Sequence, residues 1–506
     1  MDRHNHPYLK SNALVALLAI SGILALLLAA CGNETQTSSP ATTTSGAAST
    51  TQSSTTTAAT TVAATTQAAT TAPTTTGAPA TTQAATTAAA TTANTTTQAA
   101  TSAPATTSAP ATTTPATKEM PPIGNSYPAG PAPTAAPPQG GLAEVTLQVP
   151  GSLKRGTFAQ AHTLSLPKDF SISLYSLPGS GVRFGTFSPD GRLFLSIRDE
   201  GKVVWLKDNG ATGEPQPFAS GLNGPHGLAF HEVNGQMYLY VAENDKVTRF
   251  PYKDGQASAT NKEVIVKNIP AGDGHTTRSI AFGPDGKMYI AAGSSCNVCE
   301  ESDPRRAAVT RYNADGTGEH LFATGLRNEV GIKFYPTTGE LWGTENGRDN
   351  LGNNIPPEEI NILKDGGNYG WPYCYSNQVW DSNFGLKNAD YCKNTIPPAL
   401  PMQAHSAPLG IDFYFPKTTQ FPADYQGDAF VAFHGSWNRS PATGFKVVRI
   451  RVKDGRPVSY EDFATGWLLS NGSRFGRPVD TIVAPDGSLF VTDDTANAVY
   501  HITYQK

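Results

Sequence analysis

Apolar and polar positions alternate with a period of two through most of residues 180–504, in short runs cut by Pro-Asp-Gly or other glycine-containing turns. One unit recurs: a short apolar strand, a turn, then an alternating strand. It reads Phe184-Gly-Thr-Phe187, Ser188-Pro-Asp-Gly191, Arg192-Leu-Phe-Leu-Ser196. It returns at Gly227–Phe230, Ser279–Phe282, Gly331–Phe334, Gly410–Phe413 and Thr481–Val483, each with its following strand. Aromatic and β-branched residues alternating across an Asp-Gly turn predict β-hairpins. The markers at 187, 230, 282, 334, 413 and 483 lie 43 to 79 residues apart. Repeats of that length, each a small sheet, predict an all-β fold of the β-propeller type, and six copies predict six blades. A β-sandwich of similar strand count would not account for one motif recurring six times. The wide gaps at 342–410 and 432–480 are expected to hold long loops, and loops on a rigid ring carry sites.

The pattern is different at the N-terminus. Polar Asp2–Lys10 precedes a nearly unbroken apolar run over 13–30, which ends Leu28-Ala29-Ala30-Cys31-Gly32. This is the layout of a secretory signal. Cys31 after two small residues resembles a bacterial lipobox, which implies cleavage before Cys31 and lipidation of its thiol. An uncleaved transmembrane anchor is the alternative, since 18 apolar residues just reach spanning length. Either way the rest of the chain is expected outside the cytoplasm, held at the cell membrane. Residues 41–117 contain 33 Thr and 25 Ala, and no charge occurs between Glu34 and Lys118. Such a segment buries too little apolar surface to offset its chain entropy. The expected organisation is a signal peptide over 1–30, a disordered linker over 31–140, bare or O-glycosylated, and a propeller domain over 141–506.

The net charge of −4 carries no basic run, which argues against a nucleic-acid partner. Of five cysteines, Cys31 belongs to the signal, leaving Cys296, Cys299, Cys374 and Cys392. An even number in an oxidising compartment predicts two disulfides, and chain proximity pairs Cys296 with Cys299 and Cys374 with Cys392. A zinc or redox role for Cys296-Asn-Val-Cys299 lacks a second CxxC or a suitably spaced His pair. No haem-attachment CxxCH occurs, so any redox chemistry needs an external acceptor, a quinone or a cytochrome.

In a propeller, residues just before the first strand of each pair, or just after the second, gather at one mouth. Four groups stand there. Gly272-Asp-Gly-His275 offers a general base flanked by glycines. Arg327-Asn328 offers donors to a carboxylate or quinone oxygen. The stretch Glu345-Asn-Gly347-Arg348-Asp349, with Glu358-Glu359-Ile-Asn361 and Gly366-Gly-Asn-Tyr369-Gly-Trp371, is rich in hard oxygen ligands and suits Ca²⁺. His434-Gly-Ser-Trp437-Asn-Arg439, with Arg477, offers a stacking surface and anion-binding groups. His226 is a further candidate at the same mouth. The bland reading of each is a solvated loop, a surface ion pair or core filler. Together they suggest a planar polyanionic cofactor with a metal.

These motifs, spread in this order over residues 145–504, resemble the soluble pyrroloquinoline quinone-dependent glucose/sorbosone dehydrogenases, nearest the sorbosone dehydrogenase-like branch. The resemblance implies that His275 removes the hydroxyl proton of a sugar while hydride passes to the quinone. It implies that Arg327 and Asn328 contact the quinone and that Arg477 meets one of its carboxylates. Arg439 and Trp437 complete the cofactor site. The carbonyls of Gly347 and Arg348 would hold the catalytic Ca²⁺; Glu359 and the Tyr369 carbonyl would hold a second, structural one. Three departures stand out: Gly274 replaces an Asp of glucose-type members, Val479 replaces an Arg, and a Lys of those members has no match, with Arg439 as its substitute. The substrate is accordingly expected to be an aldose, a sorbosone-like aldehyde or a related polyol rather than glucose in particular. Two rivals remain: a calcium-dependent lactonase-type hydrolase, with its metal on the ring axis, and a non-catalytic surface propeller that binds glycans or proteins.

Overall fold

The computed structural model describes residues 134–505; the signal-like segment, Cys31 and the Thr/Ala-rich stretch lie outside the described residues. Six blades form the domain, one for each copy of the repeat; five are four-stranded and antiparallel, and the third adds a fifth, two-residue strand, Gly367–Asn368, paired parallel to His320–Thr324. The innermost strands are Val182–Phe187, Leu228–Val233, Arg278–Phe282, Glu329–Phe334, Pro408–Phe413 and Pro478–Val483. They contact one another in sequence order, and the sixth returns to the first, so the ring is closed.

Closure uses a strand that the repeat pattern does not reveal. Phe170–Ser176, ahead of the first copy, pairs antiparallel with Ala498–Tyr504 at the C-terminus, with Ile172 opposite Ile502. It completes the sixth blade and leaves no open seam between the chain ends. Ahead of the expected boundary at 141, Ala136 already bridges to Glu461 on the fifth blade.

Second strands such as Leu193–Ile197, Met288–Ala292 and Ala429–Phe433 are buried along their whole length. Each blade is covered on both faces by its neighbours, so strict alternation gives way to continuous apolar runs there. Aromatic rings join adjacent blades: Trp342 of the fourth packs edge-on against Phe413 of the fifth, ring centroids 5.3 Å apart.

The two wide gaps differ from each other. Residues 432–480 are mostly blade, because they contain Lys446–Lys453 and Arg456–Ala464, the longest strands among the described residues. The 342–410 gap does carry an excursion. It contains a small hairpin, Cys374–Tyr375 with Val379–Trp380, and a short helix, Ala389–Cys392. Both disulfides are formed, Cys296–Cys299 and Cys374–Cys392. The second ties the hairpin to the helix. The first leaves no thiolate for zinc.

Candidate active site

All six innermost strands begin at one end of the ring, and the second strands return to that end. The residues flanking them there form the mouth. Among them are Arg183, His275, Arg327, Asn328, His434 and Arg477.

His275 is held from two sides. Its Nδ1 lies 3.0 Å from the Ser294 carbonyl oxygen and 3.0 Å from Ser294 Oγ. A carbonyl only accepts, so Nδ1 carries the proton and Nε2 keeps its lone pair. Ser294 Oγ uses its own hydrogen on the Cys296 carbonyl, 2.6 Å away, and is therefore also an acceptor for Nδ1. The His275 carbonyl receives Arg278 and Arg306, each at 3.0 Å. Burial first, and then the Arg327 charge, press the imidazole pKa down to about 3. The ring is thus a neutral base with one open nitrogen.

Gly274 explains one departure from the glucose-type pattern. Its φ is +79°, and an added Cβ would lie 2.5 Å from the carbonyl oxygens of Ser294 and Ser295. An Asp has no room where the 294–299 loop packs. Gly274→Ala should therefore destabilise the domain by about 1–3 kcal/mol, read as a lowered Tm.

Asn328 Oδ1 and His275 Cβ flank the space a Cβ on Gly293 would fill, so base and amide are neighbours. Ser294 N–H donates to the Arg327 carbonyl at 2.7 Å, continuing the chain of contacts. The Arg327 side chain is buried, and all five of its N–H groups find protein acceptors. Nε donates to the Asn297 carbonyl; the Nη groups donate to the Asn346 and Gly347 carbonyls, Asn297 Oδ1 and Asp349 Oδ2, at 2.9–3.1 Å. Arg327 thus holds the 346–349 loop as well as charging the mouth, and a direct bond to a ligand requires exchanging one of these acceptors.

The fourth blade carries a row of buried carboxylates. Glu329 lies opposite Glu345 in the register, and Glu345 opposite Glu359. Like charges on one rung repel, and burial favours the neutral acid. Desolvation raises the pKa of Glu345 and Glu329, and lifts Glu359 to about 8. Three oxygens in this row, Glu329 Oε1, Glu345 Oε2 and Asn361 Oδ1, are buried without a hydrogen-bond partner. Glu345, Gly347, Arg348, Glu359 and Tyr369 line one cavity of about 20 Å³, with Arg327 and Trp371 among its walls. That volume admits one water-sized body. The four residues expected to serve two ions therefore share a single cavity. Glu345, quoted in its motif but not singled out as a ligand, joins them; the signal was its cross-strand position, which sequence alone does not display.

The fourth group divides. Arg477 donates through Nε to the His434 carbonyl and through Nη2 to the Gly435 carbonyl, both at 3.0 Å. His434 Nε2 meets Asp494, which also pairs with Arg183 at 2.6 Å. Arg439 is turned toward the Asn353 and Ala404 carbonyls instead. Its neighbour Asn438 reaches the cation loop, donating to Asp349 Oδ1 at 2.6 Å. Trp437 is 74% exposed, so it is not core filler. His226 is fully buried, its Nε2 without a partner, and it does not open on the mouth. Val479 packs with Phe184, Val330 and Leu409 from three other innermost strands, forming an apolar plug across the axis. Further along the strands, an axial cavity of about 60 Å³ holds Lys333 between Asp412 and Asp480; Lys333 pairs with Asp412 at 3.0 Å.

Residues 186–505 match the sequence profile described as TrAA12-like. The chain belongs to that family. A protein of Borreliella burgdorferi with no assigned function is 38% identical to this family member over 357 residues, covering 68% of this chain and 92% of that one. Quinoprotein glucose dehydrogenase B of Acinetobacter calcoaceticus is 23% identical, over 68% of this chain and 88% of its own. The holo form of the pyranose dehydrogenase PQQ domain from Coprinopsis cinerea has the same fold, with a TM-score of 0.58 at 21% identity, covering 68% of this chain and 97% of that one. The expected six-bladed propeller and its likeness to pyrroloquinoline quinone-dependent sugar dehydrogenases both hold.

Proposed function

We propose that this TrAA12-like protein is a pyrroloquinoline quinone-dependent sugar dehydrogenase that uses His275 as its base and one Ca²⁺ in the Glu345–Glu359 cavity. The observation that carries this reading is the juxtaposition at the mouth. A neutral imidazole with an open Nε2 stands beside Arg327 and Asn328, on a chain of contacts that ends at a cavity lined by buried carboxylates.

The residues fit both groups. A tricarboxylate needs cationic surroundings, and Arg183, Arg327 and Arg477 all stand at the mouth. A hard divalent ion needs oxygen ligands; the unpartnered Glu345 Oε2 and Glu359 would supply them, with Arg348 and Tyr369, which line the same cavity, offering their carbonyls. When bound, the quinone supplies a two-electron acceptor for hydride, and the cation polarises it. Nε2 of His275 takes the proton of the sugar hydroxyl as the hydride leaves the adjacent carbon. The Ser294 carbonyl keeps the ring in the required tautomer and steadies the imidazolium that forms. Arg327 and Asn328 orient the acceptor and favour the negative charge it gains. The electrons would leave to an external carrier, a quinone or a cytochrome.

Trp437 is the surface on which a pyranose would stack. Trp437→Ala should raise KM for the sugar roughly three- to tenfold with kcat little changed. The disulfides agree with an oxidising compartment, and lipidation at Cys31 would anchor the enzyme outside the cytoplasm.

The deciding experiment adds quinone and Ca²⁺ to the apo-protein and follows dye reduction with a panel of aldoses and polyols. Turnover with sugar supports the reading. Lactone hydrolysis without quinone would overturn it in favour of the lactonase, although the apolar plug stands where such an enzyme holds its axial metal. Neither activity would leave the glycan-binding propeller.

A further inference from the structure

Between the base and the cation loop lies a segment of which the mechanism above uses only Ser294. Cys296 and Cys299 are bonded to each other, which closes a four-residue loop around Asn297 and Val298. On one side the loop is fixed to the base: Ser294, two residues before Cys296, accepts Nδ1 of His275, and its Oγ donates to the Cys296 carbonyl. Ser295 anchors the same stretch to the Glu301 carboxylate through its N–H at 2.6 Å and its Oγ at 2.7 Å.

On the other side, apart from the bond from Ser294 N–H to the Arg327 carbonyl, the contacts run through Asn297. Its carbonyl accepts Arg327 Nε at 3.0 Å and Trp371 Nε1 at 3.3 Å. Its Oδ1 accepts an Arg327 Nη2 hydrogen at 3.0 Å and the Asp349 N–H at 2.8 Å, and its Nδ2 donates to the Asp349 carbonyl at 3.1 Å. Five hydrogen bonds thus run from one side chain and one peptide group to three separate segments. Asp349 in turn takes Arg327 on one carboxylate oxygen and Asn438 on the other. A four-residue ring closed by a covalent bond is a stiff spacer, and an amide is the group that both accepts from and donates to the backbone of Asp349.

We propose that the disulfide-closed loop 294–299 sets the distance between the base and the cation loop, with Asn297 as its positioning residue. Asn297 acts through Arg327 and Asp349 and touches neither substrate nor cofactor. What it positions is the quinone site proposed above, so the catalytic arm of the test rests on that reading; the structural arm does not.

The structural arm is hydrogen exchange of residues 345–350 in the quinone-free protein. Asn297→Ala, and separately the double variant Cys296→Ala/Cys299→Ala, should speed exchange there at least tenfold, with the blades elsewhere as protected as in the wild type. If Asn297→Ala does not fold, Asn297→Asp keeps both accepting contacts and sets a carboxylate against the Asp349 carbonyl; faster exchange at 345–350 is again expected. The catalytic arm measures quinone Kd, kcat and KM in the reconstituted protein. Losing a group that orients a ligand-bearing residue costs roughly ten- to a hundredfold. Quinone Kd should rise and kcat fall by that order, with the sugar KM within twofold. Exchange at 345–350 unchanged in Asn297→Ala overturns the proposal. A wild type that binds no quinone sinks the dehydrogenase reading, and the exchange result then decides the role of Asn297 by itself.

Discussion

His275→Ala should fold, bind the quinone with near-wild-type affinity, and lose turnover by roughly 100- to 10,000-fold, the usual contribution of a positioned general base. The side chain makes its hydrogen bonds only to Ser294, so its removal leaves the contacts of Arg327, Asn328 and the cation loop in place. Stopped-flow reduction of the bound quinone by sugar separates the two effects, because binding and hydride transfer are then read apart. A variant that reduces quinone at wild-type rates would remove His275 from the mechanism. The pH profile supplies an independent check. A free imidazole titrates near pH 6.5, while burial and the Arg327 charge hold this one at about 3. The base is therefore neutral throughout the physiological range, and the acid limb of kcat/KM should fall below about pH 5. A limb centred near 6.5 would mean a different base.

Calcium should stabilise the quinone-free protein, and more at pH 8 than at pH 5.5. The sign follows from the carboxylate row. Burial, and after it the neighbouring Glu329 carboxylate, hold Glu345 well above the usual carboxylate range, and burial lifts Glu359 to about 8. A folded-state pKa above the unfolded value means that the native state holds protons the unfolded chain releases. Stability from that source is present below the unfolded carboxylate range and is lost as pH rises from there to about 8. A divalent ion at Glu345 and Glu359 replaces those protons and removes the penalty. At a hundredfold excess over Kd the gain is about 2.7 kcal/mol, several degrees of Tm. His275 and His434, with values lowered to about 3 and about 4, act in the opposite direction and cost stability as pH falls below 6.5. A maximum between the two limbs is expected without calcium, and Glu359→Gln should flatten the calcium response. Equal Tm with calcium and with chelator at pH 8 would leave the cavity without a cation role.

Much of this architecture is written in short-range pattern. Each Phe-Gly or Ile-Ala-Phe run before a Pro-Asp-Gly turn became an innermost strand, because hairpin formation needs only the turn chemistry and the alternation within some ten residues. His275, Arg327 and Asn328 were found by their place ahead of those strands, since a propeller puts all such positions at one mouth. The strand that closes the ring, Phe170–Ser176, was not visible. Its partner lies more than 300 residues away in sequence, and nothing local marks it. The long loop expected in 432–480 gives way to the strands Lys446–Lys453 and Arg456–Ala464; Arg449 and Arg451 on the first of them face acidic groups such as Asp428 and Glu461, which pair with them.

By itself, then, the sequence determined the number of blades, the two disulfides, and that His275, Arg327 and Asn328 lie just ahead of innermost strands, because each follows from spacing along the chain. Tertiary structure alone decided that four expected metal-site residues and Glu345 share one cavity, that Asn297 links Arg327 to Asp349, and that Val479 seals the axis. Those relations depend on strand register and on which blades face one another. Both are set by packing across the ring, and no local period records them.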